Sequence, residues 1–388
     1  MHRREDDLVA KISAKSEAFR VAIQEPAAAD VALHLGQAVL VDVVRIARWH
    51  TNPGIKLSAG DLVYLATILF GDGHMDAVEL GDAKPIDDLV AGYRLAQEVT
   101  DNQVALKVLA ERLGRKVLDP LTKLAGEHQD WYLSPDGPLR LIPFGALLLP
   151  DGTYAAQRYR FWSLSSGRDL LTPATKLPAG SLDLVLANPD YGSARDGGFA
   201  ALPETEEEAR AIRKAFPNAR LLEAGKRSKQ NLLALDQPPR ILHLATHGYF
   251  QKEGVGDALL RAGIALDGAN LGPDGLLTAK EAQNLRLNGT SLVVLSACDT
   301  GIGDVSFSEG LSGLQRSLAL VGARTQLLTL WPVNSARTKD FMEQFYGRLA
   351  AGKTKGNAWI ETQREMIRQG FAPHVWAPFV LYGDPGAL

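Results

Sequence analysis

The stretches ILHLATHG, from Ile241 to Gly248, and SLVVLSACDTG, from Ser291 to Gly301, decide the fold of this chain. Each begins as a short apolar run, and each then reaches a polar residue, His247 in the first and Cys298 in the second. Apolar runs of this length predict strands buried on both faces, which are typical of parallel sheets. Side chains that follow the carboxyl ends of neighbouring parallel strands lie at one edge of the sheet, where α/β proteins carry their chemistry.

His247 and Cys298 are the two groups that nucleophilic attack by a thiol requires. The imidazole takes the thiol proton, and the thiolate attacks a carbonyl carbon. Gly248 and Gly301 let a substrate backbone approach closely, and the amides of Gly248 and Cys298 are the candidate oxyanion hole. Taken singly, a cysteine at a strand end is usually a small buried hydrophobe, but the pair at equivalent strand ends favours a catalytic dyad. We expect His243, earlier in the first strand, to make a hydrogen bond in the core rather than to bind a ligand.

Strands and helices alternate outward from these two stretches, which predicts an α/β fold with a mostly parallel sheet and helices on both faces. The predicted strands are Leu182–Ala187, Ile241–Ala245, Ser291–Ala297, Thr325–Trp331 and Phe379–Tyr382, and the predicted helices are Leu202–Phe216, Leu276–Leu285, Glu309–Val321, Ala336–Ala350 and Asn357–Arg368. Nearer the N-terminus, DLVYLATILF, GDGH and MDAVEL read as a β-hairpin, and two amphipathic helices follow it.

The composition is that of a globular protein and excludes several function classes. The chain has 388 residues, of which 46% are hydrophobic, and a net charge of −3, so it carries no basic field for nucleic acid or acidic lipid. It has no apolar run long enough for a transmembrane helix, and its N-terminal residues lack the apolar region of a signal peptide. The single cysteine excludes an internal disulfide and a zinc site built on several cysteines. We therefore expect a cytoplasmic protein without a metal or cofactor.

Two other motif readings are weaker. GRLAAGKT, from Gly347 to Thr354, matches the phosphate-binding loop pattern, which would make Lys353 a nucleotide contact. That loop works only between a strand and a helix, whereas the residues before Gly347 have helical spacing. A serine hydrolase is weaker still, because the chain has no G-x-S-x-G elbow.

Several motifs in order resemble the CHAT proteases, caspase-like peptidases of the clan that includes caspases, metacaspases and separase. The matching stretches are GPLRLIPFGALLLPDG (Gly137–Gly152), HLATHG (His243–Gly248), VVLSACDTG (Val293–Gly301), EGLSGLQRSLALVGA (Glu309–Ala323), LWPVN (Leu330–Asn334), FYGRLAAG (Phe345–Gly352) and WAPFVLYGDP (Trp376–Pro385). The resemblance covers about residue 36 to the end. It implies a caspase-like sandwich with an added N-terminal α/β lobe, His247 as the general base and Cys298 as the nucleophile of a cysteine endopeptidase.

The substrate pocket departs from the family's pattern at two positions. Separase and many CHAT proteins are similar in having an acid five residues into a W-x-V-x-D segment, where this chain has Ser335. Metacaspases have an acid two residues before the cysteine, where this chain has Ser296, so that Asp299 is the remaining nearby acid. A basic, a small and an apolar P1 residue all stay open. The candidate pocket residues are Ser296, Asp299, Trp331, Val333, Asn334 and Ser335.

The sequence suggests three parts: a charged segment over 1–35, a regulatory α/β lobe over 36–130 and the protease domain over 131–388. No helical repeat of the kind that often precedes CHAT domains is visible. No long linker separates Cys298 from the next strand, so we expect control through the loop Asp299–Ser308 and a partner or the protein substrate rather than through cleavage. The alternative is a catalytically silent caspase-like scaffold, which would not need to keep both His247 and Cys298.

Overall fold

One large β-sheet runs through the chain in this computed structural model. The structure describes residues 26–48, 62–98, 103–172, 175–193, 198–222, 225, 227–251, 257–296, 305–331 and 335–388. Its main sheet has eleven strands in the order β3-β2-β1-β4-β5-β14-β13-β12-β8-β6-β7. These are β1 (Val39–Ala47), β2 (Leu62–Leu69), β3 (Met75–Asp82), β4 (Asp130–Pro135), β5 (Arg160–Ser163), β6 (Asp183–Ala187), β7 (Arg220–Leu222), β8 (Ile241–Ala245), β12 (Leu292–Ser296), β13 (Thr325–Thr329) and β14 (Phe379–Gly383).

A second, smaller sheet lies beside the end of β8. It has three antiparallel strands in the order β11-β10-β9. Their bounds are β9 (Gly248–Phe250), β10 (Ala262–Ala265) and β11 (Leu276–Thr278). Because β9 begins three residues after β8 ends, the chain passes from the main sheet to the small sheet within two residues.

Helices cover both faces of the main sheet. They are α1 (Ala28–Ala32), α2 (Ala83–Glu98), α3 (Gln103–Leu113), α4 (Asp119–Ala125), α5 (Thr205–Ala215), α6 (Ser228–Leu233), α7 (Ala279–Ala282), α8 (Val305–Leu320), α9 (Ser335–Ala350), α10 (Lys355–Arg368) and α11 (Pro373–Trp376). A π-helical turn over Gly114–Leu118 joins α3 to α4. No helix of the described ranges is long and apolar enough to cross a membrane.

Strand β12 shows why the sheet needs helices on both faces. Leu292 and Val294 belong to the larger core cluster, which includes residues of α5, α9 and α10. Val293 and Leu295 belong to the other cluster, which includes residues of α6, α7, α8 and the small sheet. Successive side chains of a strand point to opposite faces, so an apolar run such as this requires an apolar partner on each side.

The topology confirms the mostly parallel sheet with helices on both faces. Seven neighbouring strand pairs are parallel, and three are antiparallel, β1–β2, β2–β3 and β13–β14. The predicted hairpin is present as β2 and β3. Strand β1 pairs with β2 on one side and, in parallel, with β4 on the other, so the N-terminal strands continue the same sheet.

One predicted helix was wrong in part. The region 276–285, predicted as one helix, begins as β11, paired with β10, and becomes helical only from Ala279 to Ala282. Thr278 causes the change, because its hydroxyl accepts from the amide of Glu281 while the Glu281 carboxylate accepts from the Thr278 amide. This capping box starts a helix at residue 279 and excludes the preceding residues from it.

The stretch that matches the phosphate-loop pattern joins two helices. Helix α9 ends at Ala350 and α10 begins at Lys355, with Thr354 as its N-cap. The Lys353 ammonium lies 3.0 Å from a carboxylate oxygen of Glu361. Since no strand precedes this turn, the interpretation as an ordinary helix–helix connection is confirmed.

A buried polar cluster lies between the main sheet and helices α5 and α9. The Nδ1 atom of His243 is 3.0 Å from the hydroxyl of Tyr346, and Nε2 is 3.3 Å from Oε2 of Glu208. His243 is fully buried, and Glu208 is 2% exposed. The expected hydrogen bond of His243 in the core is therefore confirmed, and its neighbour is a buried carboxylate on α5.

Replacement of Glu208 by alanine is expected to destabilise the protein by about 2–4 kcal/mol, because it leaves the buried His243 ring without its carboxylate. Glu207 is the matched control on the same helix, where its exposed carboxylate lies 3.4 Å from Lys339. Its replacement by alanine should change stability by no more than about 0.5 kcal/mol. Urea unfolding of both variants measures the difference, and equal stabilities would contradict the role given to Glu208.

Gly383 is expected to tolerate no side chain. Its φ is +85°, and an added Cβ would lie 2.1 Å from the carbonyl oxygen of Arg324, next to β13. Gly383→Ala should cost about 3 kcal/mol, since the strain and the clash add. Gly347, exposed on α9 with nothing within 4 Å of its added Cβ, is the control. Gly347→Ala should stabilise by about 0.5–1 kcal/mol in the same unfolding experiment, and a similar loss in both would refute the argument.

Candidate functional site

His247 lies where the chain leaves the main sheet for the small one. Strand β8 ends at Ala245, which is paired with Ser296 of β12, and β9 begins at Gly248, which is paired with Ile264 of β10. The carbonyl of His247 accepts a 2.8 Å hydrogen bond from the amide of Ala265. His247 is therefore held at the carboxyl end of β8 by hydrogen bonds of the small sheet.

Thr246 fixes the same turn with its side chain. Its hydroxyl donates to the carbonyl of Ala265, and it lies 2.8 Å from the hydroxyl of Tyr191. Because the single hydroxyl proton of Thr246 goes to Ala265, Tyr191 is the donor in the second bond. Burial raises the pKa of Tyr191 to about 12, so this phenol stays protonated and keeps donating at neutral pH.

The imidazole of His247 is buried between two aromatic rings. It is 3% exposed, and its centroid lies 5.2 Å from that of Tyr191 and 5.6 Å from that of Phe199. Its Nε2 atom is 2.8 Å from the carbonyl oxygen of Ala200. A carbonyl only accepts, so Nε2 carries the proton, and in the neutral ring Nδ1 has the lone pair. This tautomer suits a general base that acts through Nδ1.

The structure brings Ser296 to the same sheet edge as His247. The amide of Thr246 donates to the carbonyl of Ser296 over 3.3 Å, and the Ser296 hydroxyl lies 3.4 Å from Oε1 of Glu208. Ser296, a predicted pocket residue, therefore lies next to the buried carboxylate of Glu208. Nothing in the sequence around Ser296 signals this contact, because Glu208 belongs to α5.

Of the other predicted site residues, the structure describes Trp331, Gly248 and Ser335. The indole of Trp331 lies in the larger core cluster and donates to the carbonyl of His374 over 3.1 Å. Gly248 is buried at the start of β9. Ser335 is the first residue of α9. Cys298, Asp299, Val333 and Asn334 lie outside the described residues.

Sequence reasoning missed three contributors to the surroundings of His247. Tyr191 and Phe199 come from the connection that follows β6, and the Ala200 contact is a backbone carbonyl. The pairing of β6 with β8 brings that connection to the histidine. A backbone acceptor leaves no residue-type signal, so a single sequence offers no way to find it.

Two curated proteins are similar to this chain in sequence. Tetratricopeptide repeat protein 28 of Mus musculus and its counterpart in Homo sapiens are each 26% identical to it over 302 residues. Each match covers 67% of this chain and 12% of the relative, so the chain spans a small part of the length of these proteins.

Among solved structures, separase from the Saccharomyces cerevisiae separase–securin complex matches 93% of this chain and 31% of its own, with a TM-score of 0.56 and 10% identity. At that identity the likeness concerns the fold, and the caspase-like α/β architecture is confirmed. The CHAT domain family matches residues 107–384, from within α3 through to β14. This chain therefore belongs to the CHAT domain family.

Proposed function

We propose that this chain is a cysteine endopeptidase in which His247 is the general base and Cys298 the nucleophile. The proposal rests mainly on one observation at the carboxyl end of β8. There, Nε2 of His247 donates a 2.8 Å hydrogen bond to the carbonyl of Ala200. That bond fixes the tautomer with a basic Nδ1. A base held ready in this form can take a thiol proton without first rearranging.

The strand register supports the pairing of His247 with Cys298. Ala245 and Ser296 are opposite each other in the parallel pair β8–β12, and His247 and Cys298 each follow their strand residue by two positions in the sequence. In the proposed reaction the thiolate forms a bond to the scissile carbonyl carbon, and the amides of Gly248 and Cys298 bind the oxyanion. The His247 proton then goes to the leaving amine, and water hydrolyses the thioester.

Substrate selection is assigned to the edge around Ser296. We propose Ser296, Asp299, Trp331, Val333, Asn334 and Ser335 as the substrate-binding residues. The Ser296 hydroxyl donates a hydrogen bond to the Glu208 carboxylate over 3.4 Å, and this bond orients the serine side chain. Since Ser296 and Ser335 are both uncharged, Asp299 is the acid among these residues.

Control is assigned to a partner. We propose a charged segment over 1–35, a regulatory lobe over 36–130 and the protease domain over 131–388 in a cytoplasmic protein that uses no metal or cofactor. A partner protein or the protein substrate sets the conformation of Asp299–Ser308 and thereby the activity. Separase, a neighbour in fold whose structure was solved in complex with securin, supports a search for such a partner.

The control proposal has a direct test. A recognition site for a specific protease, inserted after Gly303, allows the loop to be cut in the purified protein. Peptidase activity after the cut should be no higher than before it. In the proposal a partner activates the protein by ordering the intact loop, so cutting the loop does not replace that step. The same treatment of the protein without the inserted site is the control, and a rise in activity on cutting would refute control by loop conformation.

The dyad is tested on a diverse peptide library, with the cut sites read by mass spectrometry. Cys298→Ala and His247→Ala should each lower cleavage by about a thousandfold or more, since nucleophile and base act as a unit. His34→Ala, an exposed histidine on another part of the chain, should leave cleavage unchanged.

Thiol alkylation of the same proteins separates an enzyme from a scaffold. Iodoacetamide should react with Cys298 with an apparent pKa below that of a free thiol in the wild type and closer to the free value in His247→Ala. A wild type that cuts no peptide and whose Cys298 titrates like a free thiol would contradict the peptidase proposal and favour the scaffold.

A further inference from the structure

The side-chain amide of Asn270 joins both ends of the segment that presents Tyr191, Phe199 and Ala200 to His247. We infer that Asn270 is a positioning residue, which fixes the imidazole of His247 in the tautomer that accepts a proton at Nδ1. The inference deepens the proposed function and rests on it. Among the described residues the hydrogen bonds of Asn270 go to residues 191, 192 and 199, so it acts on His247 through Phe199 and Ala200.

Asn270 makes hydrogen bonds to both ends of this segment, and we call this set of bonds the clamp. Its Oδ1 accepts from the amide of Phe199 at 2.8 Å, and its Nδ2 donates to the carbonyls of Phe199 at 2.9 Å and Gly192 at 3.1 Å. Its own backbone amide donates to the carbonyl of Tyr191 at 2.9 Å. One residue thus holds the chain at 191–192 and again at 199, seven or more positions later.

The amide chemistry explains why asparagine is needed here. An amide offers two donor hydrogens and a carbonyl acceptor, and all three functions are used by these contacts. Aspartate has the same shape but would set a carboxylate oxygen against the carbonyls of Gly192 and Phe199. Alanine would leave the Phe199 backbone without either bond.

The effect reaches His247 through adjacent residues. Phe199 contributes the ring 5.6 Å from the imidazole, and Ala200, next in the chain, contributes the carbonyl 2.8 Å from Nε2. A hydrogen bond weakens steeply once the acceptor moves beyond its normal range. If the backbone of Phe199 loses its bonds to Asn270, the Ala200 carbonyl can move away from the imidazole of His247. The imidazole then loses the hydrogen bond that keeps the proton on Nε2.

The loop that carries Asn270 is itself well fixed. Three residues earlier in the chain, the Asp267 carboxylate accepts from the amides of Asp190 at 2.8 Å, Gly225 at 2.9 Å and Ser228 at 3.1 Å. The amide of Gly268 also donates to the carbonyl of Asp190 at 2.8 Å. Asn270 therefore acts from a stable support, which a positioning residue requires.

The test is nitrogen NMR of the histidine-labelled 388-residue chain, with the His247 signals assigned by their loss in His247→Ala. In the wild type the neutral ring of His247 should be almost wholly the Nε2–H tautomer. In Asn270→Ala and in Asn270→Asp a mixture of tautomers should appear, and kcat should fall about tenfold or more while KM changes less than about twofold. Asn270→Asp keeps the shape of the side chain, so it serves where the alanine variant does not fold.

Two controls separate the clamp from general damage. Asn284→Ala, an exposed asparagine in the same half of the chain, should alter neither readout. Phe199→Leu keeps the backbone clamp and removes the ring, and should leave the tautomer unchanged. A wild-type tautomer in both Asn270 variants would overturn the inference. Because the NMR readout needs no turnover, it decides the role of Asn270 even if the protein cleaves no peptide.

Discussion

The passage of the chain from β8 to β9 is the constraint on which the site depends. Main-sheet pairing ends at Ala245 and small-sheet pairing begins at Gly248, so Thr246 and His247 belong to neither strand. Ala265 of β10 holds both of them, by accepting from the Thr246 hydroxyl and donating to the His247 carbonyl. The small sheet therefore helps to give the end of β8 a defined geometry, which sets the position of the imidazole.

The sequence predicted the central part of this arrangement because its signals are local and strong. The predicted run Ile241–Ala245 has the bounds of β8, and the predicted run 291–297 begins one residue before β12 and ends at residue 297, outside the described residues. Continuous apolar runs identify strands that are covered on both faces, and turn residues mark their ends. The position of His247 at the carboxyl end of β8 followed from that pattern alone.

What the sequence did not predict depends on contacts between distant segments. The region 276–285 has the spacing of a helix, but its first three residues pair with β10, a preference that only the small sheet creates. The Ala200 carbonyl and the Glu208 carboxylate reach the site from the connection after β6 and from α5. Tertiary pairing decided both cases, because it overrides a local pattern and places groups that have no motif.

The continuity of the main sheet limits how such a site can be controlled. The N-terminal strands β1 to β3 and the site strands β8 and β12 belong to one hydrogen-bonded sheet with a close-packed core on each face. A packed sheet of this kind does not deform gradually, since interiors have few voids and few alternative arrangements. The connections beyond the strand ends lie outside that sheet, and single side chains hold them, as the Asn270 contacts to residues 192 and 199 illustrate. A change in the geometry of His247 is therefore made most directly through those connections, because the sheet beneath them moves only as a packed whole.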